Sequence, residues 1–537
     1  MTPFRRVGLL VAFAAATFRR LGLLVAFATA VLLGSCGKGP EFTIISGSEN
    51  QVLEPIVMEF CRTRGAVCHM TYMGSLDIAL GLKPGGGLET DAVWPASSIW
   101  IDVFDTGRRV TGAKSIAQMP VILGVRMSKS KELGWIGKNL TSKDILAAVD
   151  SGKLGFLMTS ATQSNSGAMA YLAMLSAALG KTDPLTRADL DNPAARDAVW
   201  RMLHGVVRSA GSSGWLADLY RDGAAHGARY DAMWNYEAVI KETNDQLRAA
   251  GQEPLYAVYP VDGVAMADSP LGFIDRGRGQ DVATFFADLQ AHLLGEAQKQ
   301  IASTGRRVGV AQHVGTVIDR DTNLDTTRAV TVLRPPEPAV IASALTLYQE
   351  ALRRPSMTAM CLDVSGSMAG TGEQQLSEAM RFLLTPARTR EALVQWLGAD
   401  RILVLPFSSQ VLWEQSASGT DADQAKLLQR ALTLRAGGGT DFYTCAAEAL
   451  RLMRTTLDAK THLPAIVIMT DGQSQGTMAT FEQPWRADGA RVPVFGVTFG
   501  LDVDRSQLDA LARLTGGRVF DGTKSLSEAF RAVRGYN

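Results

Sequence analysis

The feature that most constrains the fold is a series of continuous apolar runs in the last third of the chain. Four of them occupy residues 358–362, 401–407, 465–469 and 492–500, and stretches with apolar residues at helical spacing lie between them. Strands that are apolar throughout are buried on both faces, which is typical of a mostly parallel sheet covered by helices. We therefore predict a doubly wound α/β domain with a Rossmann-like sheet over residues 355–537.

The rest of the chain is predicted to form a separate α/β region. A single core stops growing at about 250 to 300 residues, and this chain has 537. The stretch RPPEP at residues 334–338 interrupts any helix or central strand, so we place the junction there, with a linker and bridging helix over residues 334–354. Upstream, residues 42–333 alternate strand and helix patterns and are numerous enough for two lobes.

The first 35 residues predict export from the cytoplasm. A basic pair followed by an apolar block occurs twice in tandem, and each copy has the charged start and apolar core of a signal peptide. The second copy ends in LGSC, which resembles the lipobox of bacterial lipoproteins, and the resemblance implies that Cys36 is lipidated. An ordinary secretory signal that contains a cysteine is the alternative. With lipidation, residues 36–41 form a tether, and the protein is anchored to a cell membrane, facing the periplasm or the cell exterior.

The net charge and the positions of the cysteines bear on the class of partner and on which disulfides could form. The formal net charge is +1 and the chain has no long basic run, so we expect no nucleic-acid partner. Cys61 and Cys68 could form a local disulfide outside the cytoplasm, and their spacing permits this without requiring it. Cys361 lies in an apolar run and Cys445 in a helical pattern, so both are predicted to be small core residues.

Short side chains that carry oxygen occur at three places in the predicted C-terminal domain. Asp363, Ser365 and Ser367 follow its first strand, Thr440 follows a triple glycine, and Asp471 ends a fully apolar run. The carboxyl ends of parallel strands meet at one edge of a sheet, so these side chains are expected to lie close together. A set of oxygens without imidazole or thiolate suits a hard divalent cation, and Mg²⁺ is the first choice.

These five positions resemble the metal-ion-dependent adhesion site (MIDAS) of von Willebrand factor A (VWA) domains. The resemblance covers residues 355–537 and implies that the serines and the threonine coordinate the cation, that the aspartates act largely through water, and that an acidic side chain of a protein partner fills the open position. It implies Mg²⁺, or another hard cation such as Mn²⁺ or Ca²⁺. The opposing interpretation is a turn in which Ser and Gly collect for local reasons. Because only two carboxylates are present, we expect weak metal binding that strengthens when the partner binds.

A catalytic serine is the rival interpretation of the same region. Residues 472–476, GQSQG, fit the G-x-S-x-G pattern of α/β-hydrolases, with Ser474 as the nucleophile. That fold needs a histidine after the serine, and the six histidines of this chain all precede Ser474. We therefore expect no enzymatic activity, and we interpret Ser474 as a loop residue beside the metal site.

Two Ser-rich segments of the upstream region come directly before predicted helices. They are SGSEN at residues 46–50 and TSATQSNSGA at residues 159–168, and helix N-termini that face each other across a cleft would form an anion site. Simple helix capping is the alternative for each segment. With GSLD at residues 74–77, they resemble the corresponding segments of bacterial type II periplasmic solute-binding proteins. This resemblance covers residues 41–330 and implies two lobes and a cleft lined by Ser48, Ser75, Ser160, Thr162, Ser164 and Asn165.

Together the two resemblances imply a bacterial lipoprotein that joins a solute-binding domain to a VWA domain. The leading hypothesis is that the metal site binds a protein partner while the upstream domain acts as a sensor or scaffold. The alternative is a receptor or transport-associated solute-binding protein whose cleft takes a small anionic or polar ligand, such as an oxyanion, and whose VWA domain only docks it.

Overall fold

The computed structural model describes residues 40–225, 229–309, 315–456, 461–487, 492–500, 504–523 and 526–535. The predicted signal segment at residues 1–35 and the predicted lipidation site at Cys36 lie outside the described residues. Within the described ranges, no helix combines the length and the apolar character needed to cross a membrane.

The strands form three larger sheets and one two-stranded sheet. In chain order they are β1 (Glu41–Gly47), β2 (Val67–Met73), β3 (Ala92–Trp94), β4 (Val110–Ser115), β5 (Met119–Arg126), β6 (Phe156–Leu157), β7 (Val206–Arg208), β8 (Ala232–Tyr236), β9 (Leu255–Val258), β10 (Met266–Ala267), β11 (Pro270–Ile274), β12 (Ile318–Asp319), β13 (Leu324–Asp325), β14 (Ser356–Asp363), β15 (Arg401–Phe407), β16 (Gln415–Ser418), β17 (Leu463–Thr470), β18 (Val494–Thr498) and β19 (Val519–Asp521).

Helices alternate with the strands along the whole described chain. In order they are α1 (Glu54–Thr63), α2 (Ser75–Leu82), α3 (Ile99–Phe104), α4 (Met127–Glu132), α5 (Ser142–Asp150), α6 (Asn165–Leu179), α7 (Arg187–Leu190), α8 (Pro193–His204), α9 (Ser213–Ala225), α10 (Glu237–Ala249), α11 (Gln280–Leu294), α12 (Gln298–Ser303), α13 (Pro338–Leu347), α14 (Thr371–Leu383), α15 (Pro386–Glu391), α16 (Asp421–Ala431), α17 (Phe442–Thr456), α18 (Ala479–Ala487), α19 (Ser506–Thr515) and α20 (Leu526–Gly535). Short 3-10 segments lie at Ser48–Leu53 and Gly366–Met368, and a π-helical turn lies at Tyr348–Leu352.

The first lobe is built on a sheet with the strand order β2-β1-β3-β11-β4. β1 pairs in parallel with β2 and β3, whereas β11 is antiparallel to β3 and β4. Phe42 on β1 packs against Phe285 on α11 with ring centroids 5.1 Å apart, and Phe60 on α1 packs against the same ring at 5.7 Å. The apolar stripe of α1 therefore supplies part of the core that covers this sheet.

The second lobe is built on the sheet β10-β5-β8-β6-β7, with β9 also beside β5. The chain enters this lobe through β5 and returns through β9 and β10, which both pair antiparallel with β5; Leu123 lies opposite Val258. The long helix α6 is buried over most of its length, which explains why its sequence is apolar around most of its circumference. The hydroxyl of Tyr171 on α6 donates to the carbonyl of Ala344 on α13 at 3.0 Å, so this lobe supports the bridging helix.

The C-terminal sheet has the order β16-β15-β14-β17-β18-β19. All neighbouring strands are parallel except the edge pair β15 and β16. The central strand β14 is buried throughout, and Leu362 on it lies opposite Met469 on β17. The prediction of an α/β protein with a two-lobed N-terminal region and a mostly parallel C-terminal sheet is confirmed.

Two disulfides are present in the described chain. Cys61 bonds to Cys68 inside the first lobe, which the spacing had left open. Cys361 on β14 bonds to Cys445 on α17, across a sequence separation of 84 residues. The prediction that these two are separate small core residues is therefore wrong about their pairing, although both are fully buried. The pairing depends on which helix packs over the central strand, and this is a property of the sheet order that local sequence does not reveal.

Candidate functional site

Asp363 ends the central strand β14 at the carboxyl edge of the C-terminal sheet, and it is fully buried. Its Oδ1 accepts a hydrogen bond from the backbone N–H of Ser365 at 2.8 Å, and its Oδ2 accepts one from the hydroxyl of Thr470 at 2.5 Å. Burial raises the pKa of Asp363, and the hydrogen bonds from Thr470 and Ser365 oppose this rise. These two bonds hold the carboxylate in one orientation at the end of the strand.

The two serines that follow lead from Asp363 to Asp471. Ser365 Oγ lies 3.1 Å from Ser367 Oγ, and Ser367 Oγ donates to Asp471 Oδ1 at 2.8 Å. Ser365 is buried, Asp471 is partly exposed and Ser367 is exposed. We call these four residues the strand-end cluster. It is one continuous group of carboxylate and hydroxyl oxygens that reaches solvent on the side of Ser367.

Thr440 lies on a loop that is bonded to both other loops of the site. The backbone N–H of Gly366 donates to the carbonyl of Gly438 at 2.9 Å, and the N–H of Gln475 donates to the carbonyl of Thr440 at 2.7 Å. Gly438 adopts a positive φ of 89°, which favours glycine at this turn. Thr440 is 8% exposed. Backbone contacts therefore bring the loop of Thr440 beside the strand-end cluster.

Sequence reasoning missed two residues that position this cluster and the loop of Thr440 beside it. Thr470 orients the Asp363 carboxylate, and Ser409, which follows β15, accepts a hydrogen bond from the backbone N–H of Gly439 at 3.1 Å. In both cases a signal existed, because each is a hydroxyl at the end of an apolar strand that borders β14. Neither residue is part of the five-residue motif, so the motif alone does not indicate either of them.

The donor chemistry of the cluster can be tested against the cation expected from the sequence. Carboxylate and hydroxyl oxygens are suitable ligands for Mg²⁺ and other hard cations. Within the described ranges, no group of three or more His, Cys, Asp or Glu side chains could hold a metal ion. A cation at this edge would therefore need hydroxyl oxygens for part of its coordination. The residues fit a hard divalent cation and do not fit a softer one held by imidazole or thiolate.

Ser474 is held in its loop by local hydrogen bonds. Its hydroxyl donates to Asp441 Oδ1 at 3.2 Å and accepts from the backbone N–H of Gly476 at 3.2 Å. His462 is the nearest histidine in the sequence, but it precedes β17, whereas Ser474 follows the other end of that strand. His462 Nε2 bonds to the carbonyl of Ala399 at 3.1 Å. The serine and this histidine are therefore not arranged as a catalytic pair.

Two of the six residues predicted to line the N-terminal cleft make contacts between the lobes. Ser48 Oγ, in the first lobe, accepts a hydrogen bond from the backbone N–H of Gly214 in the second lobe at 2.9 Å. Asn165 Oδ1, in the second lobe, accepts one from Trp100 Nε1 in the first lobe at 2.7 Å. We call the surface where these pairs meet the lobe interface. The lobes touch each other directly there.

The other four predicted cleft residues bond elsewhere, although all six are buried. Ser75 Oγ accepts from the N–H of Ala96 in its own lobe, and Ser164 pairs with Ser166. Ser160 Oγ lies 3.2 Å from Thr162 Oγ1, which in turn accepts from Gln349 Nε2 at 2.6 Å. Ser164 precedes α6 without a side-chain capping bond. The capping alternative therefore does not describe this serine, and Thr162 contacts the bridging segment that follows α13.

Glu49 is a buried acid of the lobe interface that sequence reasoning missed. Its Oε2 accepts a hydrogen bond from Ser213 of the second lobe at 3.1 Å. Burial raises the pKa of Glu49 to about 7, against opposing effects from Ser213 and from the positive charge of Arg306. The signal that could have found it is the acidic residue within the serine-containing segment SGSEN.

Comparison with known families agrees with this division of the chain. Residues 42–306 match the family model described as bacterial extracellular solute-binding protein, and residues 358–473 match that of the von Willebrand factor type A domain. No curated protein sequence matches the chain. The first matched range contains the lobe interface, and the second contains all five residues predicted to hold the metal.

Solved structures to which the chain is similar include a von Willebrand factor type A protein, a sulfate-binding protein and a periplasmic binding protein. A von Willebrand factor type A protein from Catenulispora acidiphila is 18% identical over 35% of this chain and 43% of its own, less than half its length, with a TM-score of 0.30. The sulfate-binding protein SubI from Mycobacterium tuberculosis is 18% identical over 56% of this chain and 96% of its own, with a TM-score of 0.40. The periplasmic binding protein AfuA from Actinobacillus pleuropneumoniae is 14% identical over 57% of this chain and 93% of its own, with a TM-score of 0.38.

Proposed function

Because the chain combines a solute-binding-protein region with a VWA region, we propose that it is a membrane-anchored extracytoplasmic protein that binds a protein partner through a divalent cation on the VWA region. The observation that carries the proposal is the strand-end cluster, in which Ser367 Oγ lies 2.8 Å from Asp471 Oδ1 and 3.1 Å from Ser365 Oγ. The solute-binding-like region then acts as a sensor or scaffold. The role is binding without catalysis.

Each residue of the strand-end cluster has a role in this proposal, and so does the neighbouring Thr440. The hydroxyls of Ser365, Ser367 and Thr440 would hold the cation, and Asp363 and Asp471 would balance its charge largely through water. A bound Mg²⁺ would supply a positive charge that an acidic side chain of the partner can neutralise. Two carboxylates are few for a divalent ion, so affinity for the free cation is low and rises when the partner binds. The exposure of Ser367 is consistent with approach of the partner from that side.

Membrane anchoring through a lipid on Cys36 completes the proposal. Its support is the LGSC sequence before the first described strand and the match of residues 42–306 to an extracellular family. The test is incorporation of a labelled fatty acid in cells. The wild-type chain is expected to carry the label, and Cys36→Ala is expected to lose it and to leave the membrane fraction. Label retained in Cys36→Ala would contradict the anchor.

A small-molecule receptor is the second candidate, and one observation favours it. Glu49 Oε1 and Ser212 Oγ, both beside Ser213, are buried and have no hydrogen-bond partner in the described chain. Unpaired buried acceptors are costly, and a ligand that donates hydrogen bonds would satisfy them. The ligand that fits this alternative is therefore a neutral or cationic molecule that donates hydrogen bonds to Glu49 Oε1 and Ser212 Oγ.

Titration of Mg²⁺ into the full chain, followed by calorimetry and thermal unfolding, tests the metal site. Wild type is expected to bind and to melt at a higher temperature, whereas Asp363→Ala and Ser365→Ala are expected to do neither. The matched control is Asp421→Ala, which removes an exposed aspartate of the same region that pairs with Arg390. Circular dichroism checks that each variant is folded. Equal binding by Asp363→Ala and wild type, or no binding by any of the four chains, would refute the site.

A further inference from the structure

Arg531, on the last helix α20 of the C-terminal region, is bonded to the N-terminal region and is only 6% exposed. Its Nε and Nη2 donate to Asp77 Oδ1 at 2.8 Å and 2.6 Å, and Nη2 also donates to the carbonyl of Thr162 at 3.2 Å. The carbonyl of Arg531 accepts a hydrogen bond from Gln163 Nε2. One residue therefore makes four hydrogen bonds across the boundary between the two regions.

The partners of Arg531 belong to different lobes. Asp77 lies on α2 of the first lobe, and Thr162 and Gln163 lie on the loop before α6 of the second lobe. The two lobes also touch at the same place, because the backbone N–H of Leu76 donates to the carbonyl of Gln163 at 3.1 Å. The guanidinium is thus a bridge across the edge of the lobe interface. Bonds of this kind, between charged groups and with little solvent, are stronger than neutral hydrogen bonds.

Other contacts also attach the C-terminal half to the two N-terminal lobes. Gln349 Nε2 donates to Thr162 Oγ1 at 2.6 Å, and Arg208 Nη2 donates to the carbonyl of Gly516 at 2.9 Å. Arg518 lies over the ring of Trp215 at 4.9 Å. Helix α13 also packs on α3 of the first lobe. The two regions are therefore docked by several contacts, and loss of Arg531 alone would leave most of them in place.

We propose that Arg531 is a latch by which the C-terminal domain holds the two N-terminal lobes closed. In the solute-binding resemblance, the start of α2 and the loop before α6 line a cleft for a small ligand. Here both segments are hydrogen-bonded to Arg531, a side chain of the same polypeptide. The lobes separate only when α20 withdraws the guanidinium from Asp77. This inference goes beyond partner binding at the metal site, since it assigns the N-terminal domain a closed state that depends on the C-terminal domain.

Hydrogen exchange of the full chain, read by mass spectrometry, tests the latch. In Arg531→Gln, the segments at the lobe interface, Ser48–Leu53 and the start of α6, are expected to exchange at least about tenfold faster than in wild type. Strands β14 and β17 report whether the C-terminal sheet stays folded. The matched control is Arg208→Gln, which removes an arginine bond between the C-terminal domain and one lobe only, and it is expected to leave exchange at the lobe interface unchanged.

Substitution of Asp77, the partner of Arg531, tests the same contact without changing α20. Asp77→Asn is expected to raise exchange in the same segments, and the double variant Asp77→Asn with Arg531→Gln is expected to exchange no faster than the faster single variant. If Arg531→Gln fails to fold, Asp77→Asn decides alone. Exchange at the lobe interface that stays at the wild-type rate in Asp77→Asn, or that rises equally in Arg208→Gln, would overturn the proposal.

Discussion

The strand-end cluster and the lobe interface contain the same kinds of side chain in opposite surroundings. Both contain serine hydroxyls and at least one carboxylate on segments that follow strands. In the cluster, Asp363 and Ser365 are buried, but Asp471 is partly exposed and Ser367 is exposed, so the group reaches solvent on one side. At the lobe interface, Ser48 and Asn165 are both buried. The sequence pattern of such a loop therefore does not indicate whether the loop is accessible to a ligand. Accessibility depends on which other segments of the chain pack over the loop.

The difference follows from sheet geometry. The strands β14, β15 and β17 are parallel, so their carboxyl ends lie together at one end of a single sheet. The N-terminal loops belong to two sheets whose edges face each other, so each loop can be covered by the opposite lobe. Substitutions in the partly open strand-end cluster and its sheet are therefore expected to affect stability differently from substitutions at the buried lobe interface. Four experiments test this difference.

The largest expected effect is on the covalent link beneath the strand-end cluster. Replacement of Cys361 and Cys445 by alanine is expected to lower the free energy of unfolding by about 4 to 5 kcal/mol, because the bond closes a long loop. The sequence separation is 84 for this pair and 7 for Cys61 and Cys68. Removal of the short pair is expected to cost about 2 to 3 kcal/mol. Denaturant unfolding measures both, and a greater cost for the short pair would contradict the loop-closure argument.

The second effect belongs to the lobe interface and depends on pH. Burial raises the pKa of Glu49 from 4.5 to about 7, so the folded chain holds this proton more tightly than the unfolded chain does. The resulting stability is fully present below the unfolded pKa and is lost as the pH rises through the folded pKa, a change of about 3 kcal/mol between pH 4.5 and pH 8.

The variant Glu49→Gln removes the ionisable group and tests this dependence. It is expected to flatten the decline of the unfolding free energy with pH, which denaturant melts at a series of pH values measure. Glu59→Gln, on the exposed part of α1, is the matched control and is expected to keep the wild-type profile. A profile that is equally steep in Glu49→Gln would show that other groups cause the decline.

The third effect comes from the close approach of the two lobes at Gly74. A Cβ added there would lie 2.3 Å from the carbonyl oxygen of Gln163 and 2.7 Å from that of Gly211, both in the second lobe. Gly74→Ala is expected to cost about 2 kcal/mol, because backbone atoms must move and the lobes must part. Gly107→Ala is the control, since its Cβ would meet only Arg109 Cγ at 3.7 Å. Equal stability of the two variants would contradict direct lobe contact.

Much of the fold could be predicted from local patterns, because apolar runs and helical stripes are local. The continuous run before Asp363 predicted a strand buried on both faces, and β14 is such a strand. The loop of Asp363 and the loop of Asp471 could be expected to meet because parallel strands end at one edge. These inferences need only the period of the apolar residues and the direction of the strands.

What could not be predicted depends on contacts between distant segments. The bond between Cys361 and Cys445 requires knowledge of which helix covers β14. The acid at Glu49 becomes important only because Ser213, far along the chain, closes over it. The hydrogen bonds from Arg531 to Asp77 join residues that are 454 positions apart. In each case the deciding partner lies in another domain, lobe or layer, beyond the reach of any local window.

The smallest expected effect compares two serines directly. Ser48 Oγ is buried and accepts the backbone N–H of Gly214 at 2.9 Å, so Ser48→Ala leaves a buried donor unpaired and is expected to cost about 1 kcal/mol of unfolding free energy. Ser367 is exposed, so Ser367→Ala is expected to change stability by less than about 0.5 kcal/mol. Thermal melts of the two variants in the presence of a chelator isolate this difference from metal binding. If Ser367→Ala lowered the unfolding free energy more than Ser48→Ala under those conditions, the hydroxyl of Ser367 would stabilise the fold. That result would contradict the interpretation of the exposed side of the cluster as a binding site.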